Sequence, residues 1–458
     1  MATETKQDGA GRRHYTGFNA RWKAAQARED VNECGEVPPH LPLTPVDIPP
    51  LNNPRVTLVC GDVIDVLREM APGRISCVVT SPPYFGLRSY DIPPRQWADG
   101  TACVLGDEPT LDIYVQHLVE VFREGKRVLH PRGSVWLNLG DCYAGGGRHD
   151  ERKAIYDIPK DAKPTRPRQK RRSGKDLLMM PARVAMALQD DGWILRQDNI
   201  WAKAISFLPS FSGSVMPEST RDRTTWAHEH VFHLTLRDDS FYDQDGCREP
   251  YTNTTRTQLS SPYRGRGRKN YAGAHAQDPS DTNRRVLLSI ASGTGRNLRN
   301  VWVIPKENFR GWVRDAAGKE ISHFATFPTK LVEPIVKLAS SERGVCVQCA
   351  APVQRRTVRE AVPPAIQAQF EAARVATAAA TGRTDGHTLR RPNYRRRILR
   401  EEWESSCTCE VGFEPATVLD MFTGSGRAGI VARRLGRSFV GIDVNPDYIR
   451  MSEEAIMA

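Results

Sequence analysis

Residues 418–426 read Val-Leu-Asp-Met-Phe-Thr-Gly-Ser-Gly, an apolar strand segment that runs directly into a glycine turn. The spacing beyond it predicts a helix over Arg427–Leu435 and a strand over Ser438–Ile442, followed at once by the acid Asp443. Strand, tight turn, helix and strand make half of a nucleotide-binding type of α/β unit. Its glycines let the loop pass close to a ligand, and its later carboxylate accepts ribose hydroxyls. The sequence stops at residue 458, 15 residues past Asp443. Such a unit has to join a larger sheet, so the remaining strands are expected upstream, in a permuted order.

They are legible there. Val56–Cys60 reads as a strand, Val63–Met70 as a helix, Ile75–Thr80 as a strand, Leu111–Leu129 as a helix and Gly133–Asn138 as a strand. Met180–Leu188 and Trp193–Trp201 continue as helix and strand, and regular structure resumes at Val301–Ile304 and Phe324–Leu338. Between Pro209 and Arg299 the sequence is polar and aromatic, without periodicity. The expected organisation is a proline-rich disordered arm over 1–53, half of an α/β domain over 54–204 interrupted by a mobile basic loop at 144–175, and an irregular region at 205–300. A return to the α/β domain follows over 301–344, then a cysteine-bracketed, Arg-rich insertion at 345–410 and the glycine-turn half at 411–458.

The formal charge is +11, gathered in Arg148–Lys175 and Arg355–Arg400, which favours a polyanionic partner. No apolar run approaches the roughly 18–20 residues a membrane span needs. The polar N-terminus lacks the apolar core of a signal peptide. Ten scattered cysteines fit a reducing compartment, so a cytoplasmic protein is expected.

Gly424-Ser-Gly426-Arg-Ala-Gly429 is a formal G-x-G-x-x-G, which a nicotinamide-binding unit or an ordinary strand-to-helix turn also satisfies. Asp420 separates the cofactors. It ends the strand before the glycines, well placed to face the ammonium group that S-adenosylmethionine carries and a dinucleotide lacks there.

At the other end of the chain, the strand Ile75–Thr80 breaks into Ser81-Pro82-Pro83-Tyr84. With Asp420-Met-Phe-Thr-Gly-Ser-Gly426 in this order, Thr80-Ser-Pro-Pro-Tyr84 resembles the amino-directed DNA methyltransferases of the permuted (beta) group. Gly61-Asp62, Asn138-Leu-Gly-Asp141, Gly192 to Lys203, Glu229-His-Val-Phe-His-Leu and His323-Phe-Ala-Thr-Phe-Pro328 extend the likeness over residues 55–340 and 415–450. The resemblance implies a Rossmann-like sheet in circularly permuted motif order, S-adenosylmethionine as cofactor and double-stranded DNA as partner. It also implies a target-recognition insertion at 205–300, where Arg221, Arg223, Arg264, Arg266, Arg268 and Lys269 stand among Tyr, Asn and Gln. Ser before Pro-Pro is typical of the cytosine-N4 enzymes and Asp of the adenine-N6 enzymes. Asp62, Asp420, Phe422, Gly424, Gly426 and Asp443 are the implied cofactor-binding residues. Asp62 reads equally as a helix N-cap or as a contact to the cofactor's adenine. Trp201 and Lys203 read as a strand end and a surface charge, or as part of a base pocket. Trp136 and Trp193 read as core. A restriction endonuclease partner is a further implication, and the oligomeric state is left open.

The Ser-Pro-Pro-Tyr chemistry follows from the substrate. The lone pair of an exocyclic amine is delocalised into its ring, which makes it a poor nucleophile. Acceptors on both amino hydrogens pull the nitrogen toward tetrahedral geometry. Ser81 Oγ and the Pro82 carbonyl are the candidates, since proline fixes φ and hence the carbonyl direction; Pro83 stiffens the turn and Tyr84 offers an aromatic face for a flipped base. No Pro-Cys dipeptide of the kind used by ring-carbon methyltransferases occurs. An adenine-N6 methylase, an inactive DNA-binding relative and a Rossmann oxidoreductase are the competing readings.

Cys346-Val-Gln-Cys349 and Cys407-Thr-Cys409 form C-x2-C and C-x-C pairs, which together offer four soft ligands to tetrahedral zinc. Zinc there would staple the base of the Arg-rich insertion; reduced thiols without metal are the alternative.

Overall fold

The computed structural model describes residues 54–86, 92–144, 175–207, 220–250, 295–307, 327–359 and 398–458, with shorter pieces between them. The arm over 1–53, the basic loop over 145–174, the stretch 251–294, residues 322–326 and the Arg-rich centre of the cysteine-bracketed segment lie outside the described residues.

Short apolar runs bounded by turn residues become strands buried between two helical layers. β1 (Val56–Cys60), α1 (Val63–Glu69), β2 (Ile75–Thr80), α2 (Leu111–Val128) and β3 (Leu129–Leu139) follow one another as the periodicity predicts. α3 (Met180–Asp190), β4 (Ile194–Ala202), β5 (His228–Thr235), β6 (Val301–Val303), α4 (Thr329–Ala339), β7 (Thr417–Asp420), α5 (Arg427–Arg434), β8 (Ser438–Asp443) and α6 (Pro446–Met457) complete the main sheet and its helices, beside several short two-stranded pairs.

The eight strands form one sheet in the order β1-β8-β7-β2-β3-β5-β4-β6. The first five in that order run parallel, β5 is antiparallel to both its neighbours, and β4 and β6 are parallel. β1 and β2 are neighbours in the chain but not in the sheet. Two places lie between them, and β7 and β8 fill these from the far end of the sequence. α1, α2 and α3 pack together on one side, and α4, α5 and α6 pack together as a second group. Val78, Leu118, Phe122, Leu137 and Leu419 share a continuous core, which also includes Trp193; Trp136 is likewise buried.

One element contradicts its sequence reading. No period is visible between Pro209 and Arg299, yet His228–Thr235 is an internal strand between β3 and β4. Both of its faces are covered, so hydrophobic alternation is absent, and its histidines disguise it further. His233 is buried by stacking on Trp136, at 4.3 Å between ring centroids.

The described residues divide into two compact units, one taking in residues up to 243, 299–354 and 405–458, the other 244–298 and 355–404. In the smaller, Glu249 and Arg296 form a bridge closed by an ion pair of 2.6 Å, and Arg355 lies over the Trp403 ring at 4.5 Å. No helix among the described residues is long and apolar enough to cross a membrane.

Candidate active site

The carboxyl ends of β7 and β2 lie side by side. Val418 pairs with Cys77 and Leu419 with Val78, so the last residue of β7, Asp420, comes level with the end of β2. Thr80 Oγ1 donates to Asp420 Oδ1 at 2.8 Å across 340 positions of sequence. The same oxygen accepts the Phe422 amide at 3.1 Å. Asp420 is only 1% exposed, and burial raises its carboxyl to about 7 against the pull of these two bonds. Its second oxygen, Oδ2, is buried with no hydrogen-bond partner. A buried carboxylate oxygen without a donor costs free energy that a cationic ligand group recovers. The donor-poor Asp420 therefore fits an ammonium group.

Beyond Asp420 the turn is set by glycine. Gly424 has φ 49°, in the left-handed region that glycine enters without steric cost. Its amide donates to Asp443 Oδ2 at 3.0 Å, while Asn445 N donates to Oδ1 at 2.9 Å. Burial still lifts the Asp443 carboxyl to about 6. Gly426 caps α5 in the same left-handed region. The pairing of Cys60 with Asp443 brings Asp62 to the same edge. Asp62 is the N-cap of α1, accepting from Ile64 N at 2.9 Å and Asp65 N at 3.3 Å, and it also forms an ion pair with Arg95. Burial outweighs Arg95 and raises its carboxyl above the usual range. Asp62, Asp420, Phe422, Gly424, Gly426 and Asp443 are thus gathered at the ends of three adjacent strands.

Ser81-Pro82-Pro83-Tyr84 continues β2 on the other side of Asp420. The Tyr114 hydroxyl donates to the Pro83 carbonyl at 2.8 Å and anchors the turn to α2. The Pro82 carbonyl accepts no hydrogen bond from the described residues. Ser81 Oγ lies 3.3 Å from the Tyr84 hydroxyl, which donates to Glu229 Oε2 at 2.9 Å and lies 3.4 Å from Asn138 Oδ1. Burial, then the neighbouring Glu229 charge, push the Tyr84 phenol well above its ordinary value. Glu229 pairs through its other oxygen with Lys203, which sits 4.9 Å over the Trp201 ring. Trp201 itself is core, its Nε1 donating to Ile304 O at 2.7 Å. Gly140 lies against the edge of Tyr84, where a Cβ would stand 2.8 Å from Cε2.

Sequence comparison decides what this arrangement belongs to. The profile of a DNA methylase family, N6_N4_Mtase, matches residues 75–347 and 411–454, spanning both halves of the site. The chain belongs to this DNA methylase family. Its reaction class is therefore S-adenosylmethionine-dependent methylation of DNA. The methylase is similar to the Type II methyltransferase M.Cfr9I of Citrobacter freundii, 29% identical with 87% of each chain covered. It is also similar to M.SmaI of Serratia marcescens, 27% identical over 87% of this chain and 90% of that one. Among solved structures it is similar to the PvuII DNA methyltransferase (cytosine-N4-specific), 16% identical over 89% of this chain and 90% of that one, with a TM-score of 0.44.

Several residues of the methylase site carry no distinctive sequence signal. Tyr114 serves only through a partner brought by the fold, and Thr80 and Gly140, though within family-like motifs, have roles that only their contacts show. Asn138 and Glu229 fall in segments that read as family-like, but nothing local assigns them a role. Glu229→Gln keeps the shape and removes the charge that holds the Tyr84 hydroxyl. A hydrogen bond to a charged group contributes about 1.5–3 kcal/mol, so kcat is expected to fall roughly tenfold or more. Cofactor affinity, measured by calorimetry beside the steady-state rates, should not change. Loss of both together would show that Glu229 supports the fold rather than Tyr84.

The four cysteines are brought together as well. Cys346, Cys349, Cys407 and Cys409 place their sulfurs within 4.8 Å of one another, with Cys349 and Cys409 at 3.6 Å.

Proposed function

We propose that this DNA methylase transfers a methyl group from S-adenosylmethionine to the exocyclic N4 amine of cytosine in double-stranded DNA. The observation that carries the reading is the neutral Ser81 hydroxyl and the unengaged Pro82 carbonyl at the end of β2, one residue past the Thr80–Asp420 bond. In this reading the sheet is circularly permuted, since β7 and β8 complete a sheet begun by β1 and β2.

Bound S-adenosylmethionine supplies an electrophilic methyl on a sulfonium. Asp420 Oδ2 would hold the ammonium end, Asp443 would accept from the ribose, and Asp62, the N-cap of α1, would reach the adenine edge. Phe422, Gly424 and Gly426 shape the wall between them. The target cytosine leaves the DNA stack, as chemistry on a base within a duplex requires. Tyr84, held by Glu229, offers its ring to the base. Ser81 Oγ and the Pro82 carbonyl would accept the two amino hydrogens and free the nitrogen lone pair, so that the N–C bond forms as the sulfonium's S–C bond breaks, the neutral thioether leaves and one amino proton departs to solvent. Positioning supplies much of the acceleration, and no covalent enzyme intermediate is needed.

Target recognition, expected over 205–300, is read for the parts of that region outside the sheet strand β5, and a cognate restriction endonuclease as a partner in a cytoplasmic modification system. The curated relatives are named as Type II methyltransferases, which supports this.

The test is nucleoside mass spectrometry, with modification-sensitive long-read sequencing, on DNA from cells expressing the protein. N4-methylcytosine in one sequence context is the expected result. N6-methyladenine there would overturn the base assignment, and unmodified DNA would overturn the activity.

A further inference from the structure

The opposite end of the same two strands holds the four-cysteine cluster. We propose that Cys346, Cys349, Cys407 and Cys409 bind one zinc ion, and that this ion is a clamp fixing the entry of β7 against the start of β2.

The donor set is suited to zinc. Four thiolates around Zn²⁺ at about 2.3 Å stand about 3.8 Å apart in a tetrahedron. The four sulfurs already lie within 4.8 Å of each other, and the Cys349–Cys409 separation is 3.6 Å. Each pair is followed by a left-handed residue that is not glycine, Ala350 at φ 60° and Glu410 at φ 48°. Ala350 N donates back to Cys346 O at 2.8 Å and closes the first turn. Such a conformation is unfavourable for a residue with a Cβ and persists where the surroundings impose it, as a ligand clamp does.

The clamp's contacts point to the two central strands. Arg74, the residue before β2, donates from Nη1 to Val347 O at 3.0 Å, inside the first cysteine pair. Val345 pairs with Glu414 and Cys346 with Phe413, and Val347 N donates to Gly412 O at 3.1 Å, just ahead of β7. Val345, Ala350 and Ala416 close a small apolar cluster beneath Thr417. β7 is only four residues long and meets β2 at two register positions. β2 and β7 are separated by most of the sequence; besides β2, β7 pairs with β8 over four positions, and α4 packs against β2 and α5. A one-residue slip of β7 would turn Asp420 to the other face of the sheet and break its bond with Thr80. The ion, about one strand length away, therefore holds the register on which Asp420 depends.

The second half of this inference rests on Asp420 facing the cofactor; the metal count does not. Full-length protein purified under reducing conditions without added metal should contain one zinc per chain by elemental analysis. Replacement by cobalt(II) should give the visible absorption of a tetrahedral thiolate site. Cys407→His, which retains a ligand, should keep the metal, and the double variant C349S/C409S should lose it. Stripping the wild-type protein with a mercurial and a chelator should weaken S-adenosylmethionine binding by about tenfold or more, with far-ultraviolet dichroism kept and affinity restored by zinc. Metal-free protein with four titratable thiols would overturn the site. Full cofactor affinity in stripped, folded protein would overturn the clamp, whatever base the enzyme methylates.

Discussion

Ser81→Ala is expected to lower kcat by about 10²–10³-fold, the usual cost of removing one preorganised hydrogen-bonding group aimed at a reacting centre, while S-adenosylmethionine binds as before. The expectation follows from how the two acceptors are held. The Pro82 carbonyl is aimed by two consecutive rings and by the Tyr114 anchor on Pro83. It survives the substitution. Among the described residues Ser81 Oγ is tied by its 3.3 Å contact with Tyr84 alone, so alanine leaves the turn and its neighbours in place. In the proposed mechanism, what disappears is the acceptor for one amino hydrogen, and with it part of the nitrogen's pyramidal character. Single-turnover methyl transfer from labelled cofactor, beside calorimetric cofactor affinity, separates the two effects. A rate equal to wild type would assign the activating acceptor elsewhere. Parallel loss of rate and affinity would mean that Ser81 shapes the cofactor pocket instead.

The parts of this site that could be read without coordinates are those whose chemistry is contiguous in the chain. Thr80 to Tyr84 and Asp420 to Gly426 each combine a strand end, a forced turn and reactive groups within a few residues, and local physics places them past a sheet edge. The two cysteine pairs were legible for the same reason. What stayed hidden depends on contacts between distant segments. The sequence shows Tyr84 as an aromatic face, but its hydroxyl is governed by Glu229, 145 positions away, and Glu229 by Lys203. β5 could not be recognised because it is covered on both sides and spends three of its eight positions on histidine. Trp201 had two readings, strand end or base pocket; it is the penultimate residue of β4, buried, with its Nε1 on the Ile304 carbonyl, a contact no local signal predicts. For Asp62, the N-cap is evident from Ile64 and Asp65, whereas the ion pair with Arg95 has no local signature. The filling of the gap between β1 and β2 by β7 and β8 is likewise a property of the sheet and not of any segment.

Cofactor affinity is expected to weaken as pH falls through about 7, and Asp420→Asn to remove most of that dependence along with about 10² or more of the affinity. Burial raises the Asp420 carboxyl to about 7, with the Thr80 and Phe422 bonds opposing the rise and the Asp443 charge adding to it. A folded-state value above that of the unfolded chain means that the folded protein retains a proton which the unfolded chain has released. Between about pH 4 and 7 the cofactor-free protein therefore loses stability as pH rises, by up to roughly 4 kcal/mol for a shift of this size. Asp443, raised to about 6, contributes with the same sign over a lower window. An ammonium group beside Oδ2 favours the ionised form, so binding takes place at the carboxylate and strengthens as Asp420 loses its proton. The ligand's α-amino group stays charged below about 7.7, which leaves the protein's carboxyls as the titrating groups. Calorimetry at pH 5.5 and 7 should show a gain in affinity on the order of tenfold for wild type. The asparagine variant should keep only the smaller part due to Asp443. An affinity that is flat with pH in the wild-type protein, or unchanged in the variant, would remove Asp420 from the ammonium site.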